Sequence, residues 1–411
     1  MPTPVRIESI AIGTELLTTE RVDTHSIWIA RRLMEMGLGL QRKTAIGDDR
    51  EALAALFQES LPRSDLVICT GGLGPTFDDF TKEVWAEVLG APLIDQPHLR
   101  REIEAFFAAR QRPCPPNNAK QALMPLGSEA LPNPVGTAPG CWWEHQGRRI
   151  VMLPGPPQEM KRMWLDHIEP RLKNLFAAHR PTHTLRMLVG SVGESALEHR
   201  TAALRQRHGH LEWTILASLG QVELLARSTE VEALEAARRD FELELGEDRI
   251  CTGEGTLEST VLDLLMARGE TLALAESITG GRVAARLTAV PGASGAFLGG
   301  AVAYTPQAKL ALAGLSEAQL AQGTVSAAVT EALAQGVKAK LGATWGLAIT
   351  GNAGPTEDPH GPAPVGTSFF AVAGPHGTRT QHSHLPADRP DVQARSTTLA
   401  LDFLRREMVR R

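Results

Sequence analysis

Three glycines and two adjacent aspartates stand together in the stretch GGLGPTFDDF. A loop of bare backbone lets peptide N–H groups approach phosphate oxygens, and this predicts a phosphate site at Gly71, Gly72 and Gly74. Asp78 and Asp79 would repel that phosphate unless they held Mg²⁺ or a similar divalent cation. A tight turn followed by the acidic start of a helix explains the same residues equally well.

Small polar residues and one lysine form a second reactive group, in the last third of the chain. The stretches AESITGG, PGASGA and ITGNAGP surround AYTPQAK, which ends in Lys309. A serine attacks a carbonyl when a base accepts its proton, and the histidine nearest these stretches is His360. A lysine serves as the base when burial lowers its pKa, and glycine-turn N–H groups would stabilise the oxyanion. On the residues alone we favour the structural alternative, in which the serines cap helices and Lys309 is solvated.

Strand and helix signals alternate around the glycine loop in the first third of the chain. This alternation predicts a parallel sheet with helices on both faces, and such sheets bind ligands at the carboxyl ends of their strands. The glycine loop follows one of these strands. The predicted strands are VRIESIAIG, SDLVICTGG and RRIVML, and the predicted helices are THSIWIARRLMEMG, FTKEVWAEVLG and the segment from the PGPP turn to about Lys173.

The rest of the chain divides into a small α+β module and a second alternating domain. The module holds two strand signals, HTLRMLVG and QVELLARS, each followed by a helix. Its GSVG stretch follows a strand and its charge is slightly acidic, so we expect a strand-to-helix turn and not an RNA clamp. In the last domain the predicted strands are TLALAES, FLGGAVAY, TWGLAIT and GTSFFAVAG, with helices over TLESTVLDLLMARG, from Gly280, SAAVTEALAQGVKAKLG and DVQARSTTLALDFLRRE. We place the domain boundaries at 1–172, 173–255 and 256–411.

Length and composition indicate a multidomain globular chain. Its 411 residues are 43% hydrophobic and 22% charged, and the net charge of −5 gives no electrostatic reason to expect nucleic acid or an anionic membrane as a partner. No secretory signal pattern and no apolar run long enough to cross a bilayer occur, so we expect a cytoplasmic protein. The four cysteines are scattered without a CxxC pair, which predicts free thiols.

Ordered motifs along nearly the whole chain resemble those of the competence/damage-inducible protein A (CinA) family. Many motifs in one order are more specific than a single glycine loop. They are AIGTELL, VDTHS, GDD, TGGLGPTFDDFT, PPNNAKQALMP, LPNPVGTAPG and LPGPPQEMK in the first domain, and AESITGG, AYTPQAK, TGNAGP and PVGT in the last.

The resemblance implies an α/β protein of three modules. The first is similar to molybdopterin-binding domains, with a three-layer α/β fold, and is associated with metal-dependent hydrolysis of the ADP-ribose pyrophosphate. The middle module is KH-like. The last resembles nicotinamide mononucleotide (NMN) deamidase, which releases ammonia by a serine and lysine mechanism without a cofactor. The expected partners are these small nucleotides and a second copy of the chain in a homodimer, with no nucleic acid and no membrane.

The resemblance also assigns roles to individual residues. Ser294 matches the nucleophile, Lys309 the general base and Tyr304 an orienting residue. Arg389 matches an arginine that suits the 5′-phosphate. The remaining matches are to substrate-binding positions: Ser277, Thr279, Gly280, Gly281, Thr350, Gly351 and Gly354 in the last domain, and Gly71, Gly72, Gly74, Thr76 and Asn117 in the first.

The sequence departs from the family pattern at positions that line the expected substrate pocket. These are Ile278, Ala387, Gln393 and the loop 356–364. These departures are compatible with a weakened deamidase activity. Two other functions stay open, namely a non-catalytic nucleotide-binding regulator of competence or DNA damage, and pterin handling in molybdenum-cofactor assembly.

Overall fold

A computed structural model describes residues 5–18, 21–218, 220–313, 315–320, 323–356, 361 and 363–410. His360 and most of the loop around it lie outside the described residues. The chain forms two compact units, Met1–His183 and Thr184–Arg411. The three-domain division stays a prediction.

Unit 1 is built on a six-stranded sheet with the order β2-β1-β3-β8-β7-β6. The first four of these strands are parallel, while β7 and β6 run antiparallel to their neighbours. A separate antiparallel pair, β4 and β5, lies outside this sheet. The strands are β1 (Ile7–Ile12), β2 (Leu40–Ile46), β3 (Leu66–Thr70), β4 (Leu93–Asp95), β5 (Leu123–Pro125), β6 (Ser128–Leu131), β7 (Gly140–His145) and β8 (Arg148–Leu153).

Helices cover both faces of this sheet, as the alternating sequence predicted. Successive side chains of β3 face opposite sides, so Val67 joins a core with Trp85 of α4, whereas Ile68 joins a core with Trp164. The result is a three-layer α/β unit. Its helices are α1 (Glu15–Thr18), α2 (Thr24–Met34), α3 (Arg50–Arg63), α4 (Thr81–Val88), α5 (Pro97–Ala108), α6 (Pro157–Met163) and α7 (Glu169–Leu175), with a 3-10 helix over Pro116–Ala122 and a π-helical turn over Trp164–Ile168.

Unit 2 begins with a four-stranded sheet of order β10-β11-β9-β12. Two of its strands, β10 and β12, were not predicted from the sequence. The GSVG stretch follows β9 and leads into α8, which confirms the predicted strand-to-helix turn. The elements are β9 (His183–Gly190), α8 (Glu194–Arg207), β10 (Glu212–Ser218), β11 (Gln221–Ser228), α9 (Val231–Leu245) and β12 (Arg249–Thr252), with a 3-10 turn over Gly246–Asp248.

A five-stranded sheet of order β14-β13-β15-β16-β17 forms the rest of unit 2. The strands β14, β13 and β15 are parallel, and β16 and β17 are antiparallel. Because the chain crosses from β13 to β14 on one side and then to β15 on the other, the order reverses at the carboxyl end of β13, where open α/β sheets bind ligands. The strands are β13 (Leu272–Glu276), β14 (Phe297–Val302), β15 (Trp345–Gly351), β16 (Thr367–Gly374) and β17 (Gly377–His384).

Helices pack on both faces of this second sheet. Leu274 of β13 belongs to a core shared with α10 and α15, while Ala275 faces a core shared with α14. Among the helices in the described ranges, none combines the length and the apolar character that a membrane crossing requires. The helices are α10 (Leu257–Ala267), α11 (Arg282–Thr288), α12 (Pro306–Ala313), α13 (Glu317–Leu320), α14 (Ala327–Leu341) and α15 (Arg389–Val409), with a 3-10 turn over Ala293–Gly295.

Candidate active site

A buried lysine and a serine hydroxyl meet at the switch point of the second sheet. Lys309 lies in α12, directly after β14, and is 2% exposed. Its Nζ lies 3.1 Å from the Oγ of Ser277, which follows β13. The same nitrogen donates to the carbonyl oxygens of Ala303 (2.9 Å) and Tyr304 (3.4 Å). The described contacts thus place this buried nitrogen among two carbonyl oxygens and one hydroxyl.

The turn that carries Ser277 is held by the carboxylate of Glu276. Glu276 is 2% exposed and accepts hydrogen bonds from the backbone N–H groups of Gly281 (3.0 Å), Val283 (3.0 Å) and Ala284 (2.8 Å). It therefore anchors the start of α11, where a negative charge is stabilised by the unpaired N–H groups. Sequence inspection had not singled out Glu276, although it adjoins the predicted serine.

The same turn contains one buried hydroxyl that has no partner among the described residues. The Oγ1 of Thr279 is fully buried and makes no hydrogen bond there. By contrast, the N–H groups of Gly280 and Gly281 are bonded inside the turn, to Ser277 O and to Glu276. The Thr279 hydroxyl is thus the unused donor of this turn among the described residues, whereas we had expected the glycine N–H groups to serve a ligand.

Arg389, at the start of α15, links two other predicted site residues. Its guanidinium donates to Gly354 O (2.6 Å) and to the Tyr304 hydroxyl (2.7 Å). The Tyr304 side chain is 57% exposed. Behind this layer Thr350 is fully buried, with its Oγ1 2.7 Å from the Oγ1 of Thr330. The structure thus gathers Tyr304, Arg389 and Gly354 at the same edge as Lys309.

Ser294 does not join this group within one chain. It lies in the 3-10 turn before β14 and its side chain is exposed, whereas Tyr304 and Lys309 follow that strand. At roughly 3.3 Å per residue, β14 separates the two ends by about 16 Å. The structure thus places Ser294, the expected nucleophile, before the amino end of β14, whereas Lys309, the expected base, follows its carboxyl end.

Two departures from the family pattern turn out to contact each other. The Nε2 of Gln393, in α15, donates to the carbonyl oxygen of Ile278 at 2.9 Å. Ile278 is 3% exposed, and a Cβ added to Gly351 would lie 2.6 Å from its Cδ1. Ala387 packs against the same core. Gln393 and Ile278 therefore support the turn behind Ser277, while residues 357–360 and 362 lie outside the described part.

In unit 1, the glycine loop follows β3, and its first two glycines are required by close contacts with a backbone carbonyl and a side chain. Gly71 has φ +104°, and a Cβ there would lie 2.1 Å from Ile12 O at the end of β1. A Cβ on Gly72, with φ +66°, would lie 2.1 Å from the Oγ1 of Thr81. The local structure therefore requires glycine at both positions, whether or not the loop also binds a ligand.

The two aspartates of this loop are bonded to its own threonine. The single hydroxyl proton of Thr76 is shared between oxygens of Asp78 and Asp79, and the Thr76 backbone N–H donates to an Asp79 oxygen at 2.9 Å. The Thr76 bond holds the pKa of Asp78 below its usual value. Within the described ranges, no group of three or more His, Cys, Asp or Glu side chains is placed to hold a metal ion. Two carboxylates suit Mg²⁺ when phosphate oxygens supply further ligands.

The 3-10 helix after α5 holds the glycine loop from the other side. Asn117 donates to Pro75 O at 3.1 Å, Lys120 to Thr76 O at 2.9 Å and Gln121 to Leu73 O at 3.3 Å. Asn117 thus positions the loop. Lys120 and Gln121 were missed by sequence inspection, although they belong to the quoted PPNNAKQ motif.

A cavity of about 210 Å³ opens between the ends of β1 and β3. Asp23 and His25 at the start of α2 line it, and so does Thr70, which is 2% exposed and whose Oγ1 has no partner among the described residues. Burial lowers the pKa of His25, so its imidazole is neutral at neutral pH. The cavity lies at the switch point of this sheet, which sequence inspection had located only through the glycines.

Comparison with known proteins matches both units. Residues 8–174 match the model of a probable molybdopterin binding domain, and residues 254–408 match the CinA C-terminal domain. A CinA-like protein of Solibacter usitatus is 40% identical over 98% of each chain. The chain belongs to the CinA family. A putative competence-damage inducible protein of Moorella thermoacetica is 36% identical over 98% of this chain and 99% of its own.

One solved structure of a CinA protein covers part of this CinA chain. The crystal structure of the protein CinA with unknown function from Thermoplasma acidophilum is 32% identical and covers 41% of this chain and 98% of its own, with a TM-score of 0.38. The family membership confirms the recognition made from the ordered motifs.

Proposed function

We propose that the C-terminal site of this CinA protein hydrolyses the carboxamide of NMN to nicotinate mononucleotide and ammonia. The observation that carries this proposal is the 3.1 Å contact between the buried Nζ of Lys309 and the Oγ of Ser277. A buried amine is held close to neutrality because desolvation disfavours its charged form. Such an amine can accept the proton of a neighbouring serine.

In the reaction that we propose, neutral Lys309 takes the hydroxyl proton of Ser277. The freed oxygen attacks the carboxamide carbon, and the tetrahedral oxyanion accepts a hydrogen bond from the Thr279 hydroxyl. Collapse breaks the C–N bond, and the Lys309 proton leaves on ammonia. A water molecule, deprotonated by Lys309, then attacks the acyl ester, the bond to the Ser277 oxygen breaks, and that oxygen takes back the proton from Lys309 as the acid is released. Ser277 takes the nucleophile's role because it contacts Lys309, in place of Ser294, which the resemblance assigned.

Arg389 supplies the contact that favours a nucleotide over a free amide. Its guanidinium is exposed at the same edge and is oriented by Gly354 and Tyr304, a geometry that suits a 5′-phosphate. Incubation with NMN and assay of ammonia tests the proposal. We expect turnover by the wild type and none by Lys309→Met. Tight NMN binding without turnover would instead favour the non-catalytic regulator.

For unit 1 we propose hydrolysis of the ADP-ribose pyrophosphate, because an unpartnered Thr70 hydroxyl faces a cavity beside the glycine loop. Asp78 and Asp79 would hold a divalent cation, which neutralises phosphate charge when bound. Thr70 would bind a phosphate or ribose oxygen. Titration with ADP-ribose and with a pterin separates this proposal from pterin handling, since only the first predicts tighter binding of the nucleotide. Together the two reactions would recycle pyridine-nucleotide breakdown products.

A further inference from the structure

The cavity between the ends of β1 and β3 contains a histidine whose ring is not used by the fold. His25 is the second residue of α2, is half-buried and lines the cavity. Its imidazole has charged neighbours but no hydrogen-bond partner among the described residues. In the same cavity the Thr70 hydroxyl also lacks a partner within the described ranges. Polar groups that a fold leaves unpaired in one cavity are groups that a ligand can use.

This cavity shares a wall with the glycine loop, beside which we propose that the pyrophosphate binds. Thr70 directly precedes Gly71, and Gly155 of the PGPP turn lines the cavity. A Cβ added to Gly155 would lie 3.7 Å from the Cα of Gly71. The volume of about 210 Å³ admits water. A phosphate at the loop therefore has beside it a space in which a water molecule contacts both Thr70 and His25.

The surroundings of His25 keep its imidazole neutral at neutral pH. Partial burial lowers its pKa and the ammonium of Lys161 in α6 lowers it further, whereas Asp23 acts in the opposite direction. The helix dipole at the start of α2 also disfavours a positive ring. The other charged residues on the cavity wall are Glu15 and Arg21, and both are exposed to water. A neutral imidazole has a lone pair that accepts a proton.

The neighbouring side chains suit the role of a base less well. The carboxylate of Asp23 caps α2 and accepts from the Ser26 N–H at 2.9 Å. Arg21 has no acceptor. Glu15 is exposed, so its carboxylate is solvated by bulk water. His25 thus combines an accepting nitrogen with a position on the cavity wall.

We propose that His25 is the general base for hydrolysis of the ADP-ribose pyrophosphate in unit 1. One ring nitrogen takes a proton from a water molecule in the cavity, and the water oxygen attacks phosphorus beside the glycine loop. The phosphorus–oxygen bond of the pyrophosphate breaks, and the departing phosphate keeps the electron pair. His25 then passes its proton to solvent, and the products are adenosine 5′-phosphate (AMP) and ribose 5-phosphate. This role rests on the proposed function of unit 1 and names the residue that activates water there.

NMR titration of the full-length protein with AMP and Mg²⁺ tests the position of His25 without turnover, because AMP is a product. The His25 signal is assigned by its loss in His25→Asn. The ring should titrate below 6.5 in the free protein, and bound AMP should raise that pKa because phosphate charge favours the imidazolium. His98 is the internal control, since it is the second residue of α5 but is exposed, and its titration should not respond.

The pH profile of turnover tests the base itself. In the wild type, kcat for ADP-ribose should fall about tenfold per pH unit below the pKa of His25, because imidazolium accepts no proton. His25→Asn should lower kcat at pH 7 by roughly 10²- to 10⁴-fold, remove this acid limb and leave KM little changed. His98→Asn should keep the wild-type kcat and acid limb. Added imidazole should restore part of the rate lost in His25→Ala, which a purely structural role does not predict.

The outcomes separate the role of His25 from the proposed function of unit 1. A His25 titration that saturating AMP leaves unchanged, or an acid limb that persists in His25→Asn, would overturn the role of His25 and leave ADP-ribose hydrolysis standing. No hydrolysis of ADP-ribose by the wild type with divalent cations would reject the proposed function, and the role of His25 with it. A raised pKa, a lost acid limb and rescue by imidazole support both.

Discussion

Two lysines among the described residues are almost fully buried, and their neighbours differ. Lys309 contacts a serine hydroxyl, whereas Lys82 in α4 donates to Gln121 O at 2.7 Å. Burial lowers the pKa of Lys82 to about 8. An amine beside a carbonyl has no proton to accept, so Lys82 is a structural group and Lys309 is the candidate base.

The pKa of Lys82 predicts how the stability of unit 1 varies with pH. The unfolded lysine has a pKa of 10.5, so between about pH 8 and pH 10.5 unfolding takes up a proton and the free energy of unfolding rises with pH. The contribution is about 3 kcal/mol between pH 7 and pH 10.5. Urea unfolding should show that rise in the wild type relative to Lys82→Met. Parallel pH curves for the two proteins would contradict it.

Glu276 should act as a positioning residue for Ser277. In Glu276→Gln one oxygen becomes an NH₂ group that cannot accept from the N–H groups of the turn, so we expect kcat for NMN to fall roughly 10- to 100-fold, about 1.4 to 2.7 kcal/mol. Glu270→Gln is the matched control, because Glu270 lies before β13 and accepts only from Trp345 Nε1 among its described contacts. Equal kcat values in the two variants would contradict the role of Glu276.

At the scale of elements, the loop after β3 depends on one close backbone approach. We expect Gly71→Ala to destabilise unit 1 by several kcal/mol, because its Cβ would meet Ile12 O at 2.1 Å and its φ is +104°. Gly90→Ala is the control, since φ is +63° but nothing lies within 4 Å of the added Cβ. It should cost only about 1 kcal/mol. Urea unfolding compares them, and equal losses would contradict the close approach as the cause.

The elements that could be predicted from the sequence are those with an apolar signal. Strands such as β3 and β15 are buried along nearly their whole length, so their sequences are continuous apolar runs. The missed strands carry polar or short sequences. β17 faces water with GTRTQHSH, and β10 alternates weakly and is mostly exposed. A polar strand forms because a neighbouring strand offers hydrogen-bonding partners to its backbone. The local sequence does not show which segment of the chain that neighbouring strand is.

As with the helices and strands, the sequence predicted only part of the candidate site. The sequence motifs identified Ser277, Lys309 and Arg389. Each of these residues lies at the end of an element, and these ends meet on one side of the sheet. The position of Ser294 relative to Lys309 depends on the direction and length of β14, which motif spacing does not contain. Thr279 was identified as a pocket residue, but its role as the unpartnered donor follows from burial and could be found only in three dimensions.

At the scale of the whole molecule, each unit carries its own candidate site, so the two reactions should be separable. Chelation of divalent cations should abolish ADP-ribose hydrolysis and leave NMN deamidation unchanged, because the Ser277 and Lys309 site uses no metal in the proposed mechanism. Asp78→Asn should lower the first activity at least roughly tenfold and not the second. Assays of the phosphate-containing products and of ammonia, carried out on the same preparation, measure the two activities. Loss of both activities on chelation would contradict separate sites.

The measurement that tests the central claim most directly is the rate of ammonia release from NMN by Ser277→Ala, with NMN binding measured on the same protein. If Ser277 is the nucleophile that Lys309 deprotonates, kcat should fall by about 10³-fold or more while the dissociation constant of NMN changes little. Ammonia release by Ser277→Ala at the wild-type rate would contradict the account.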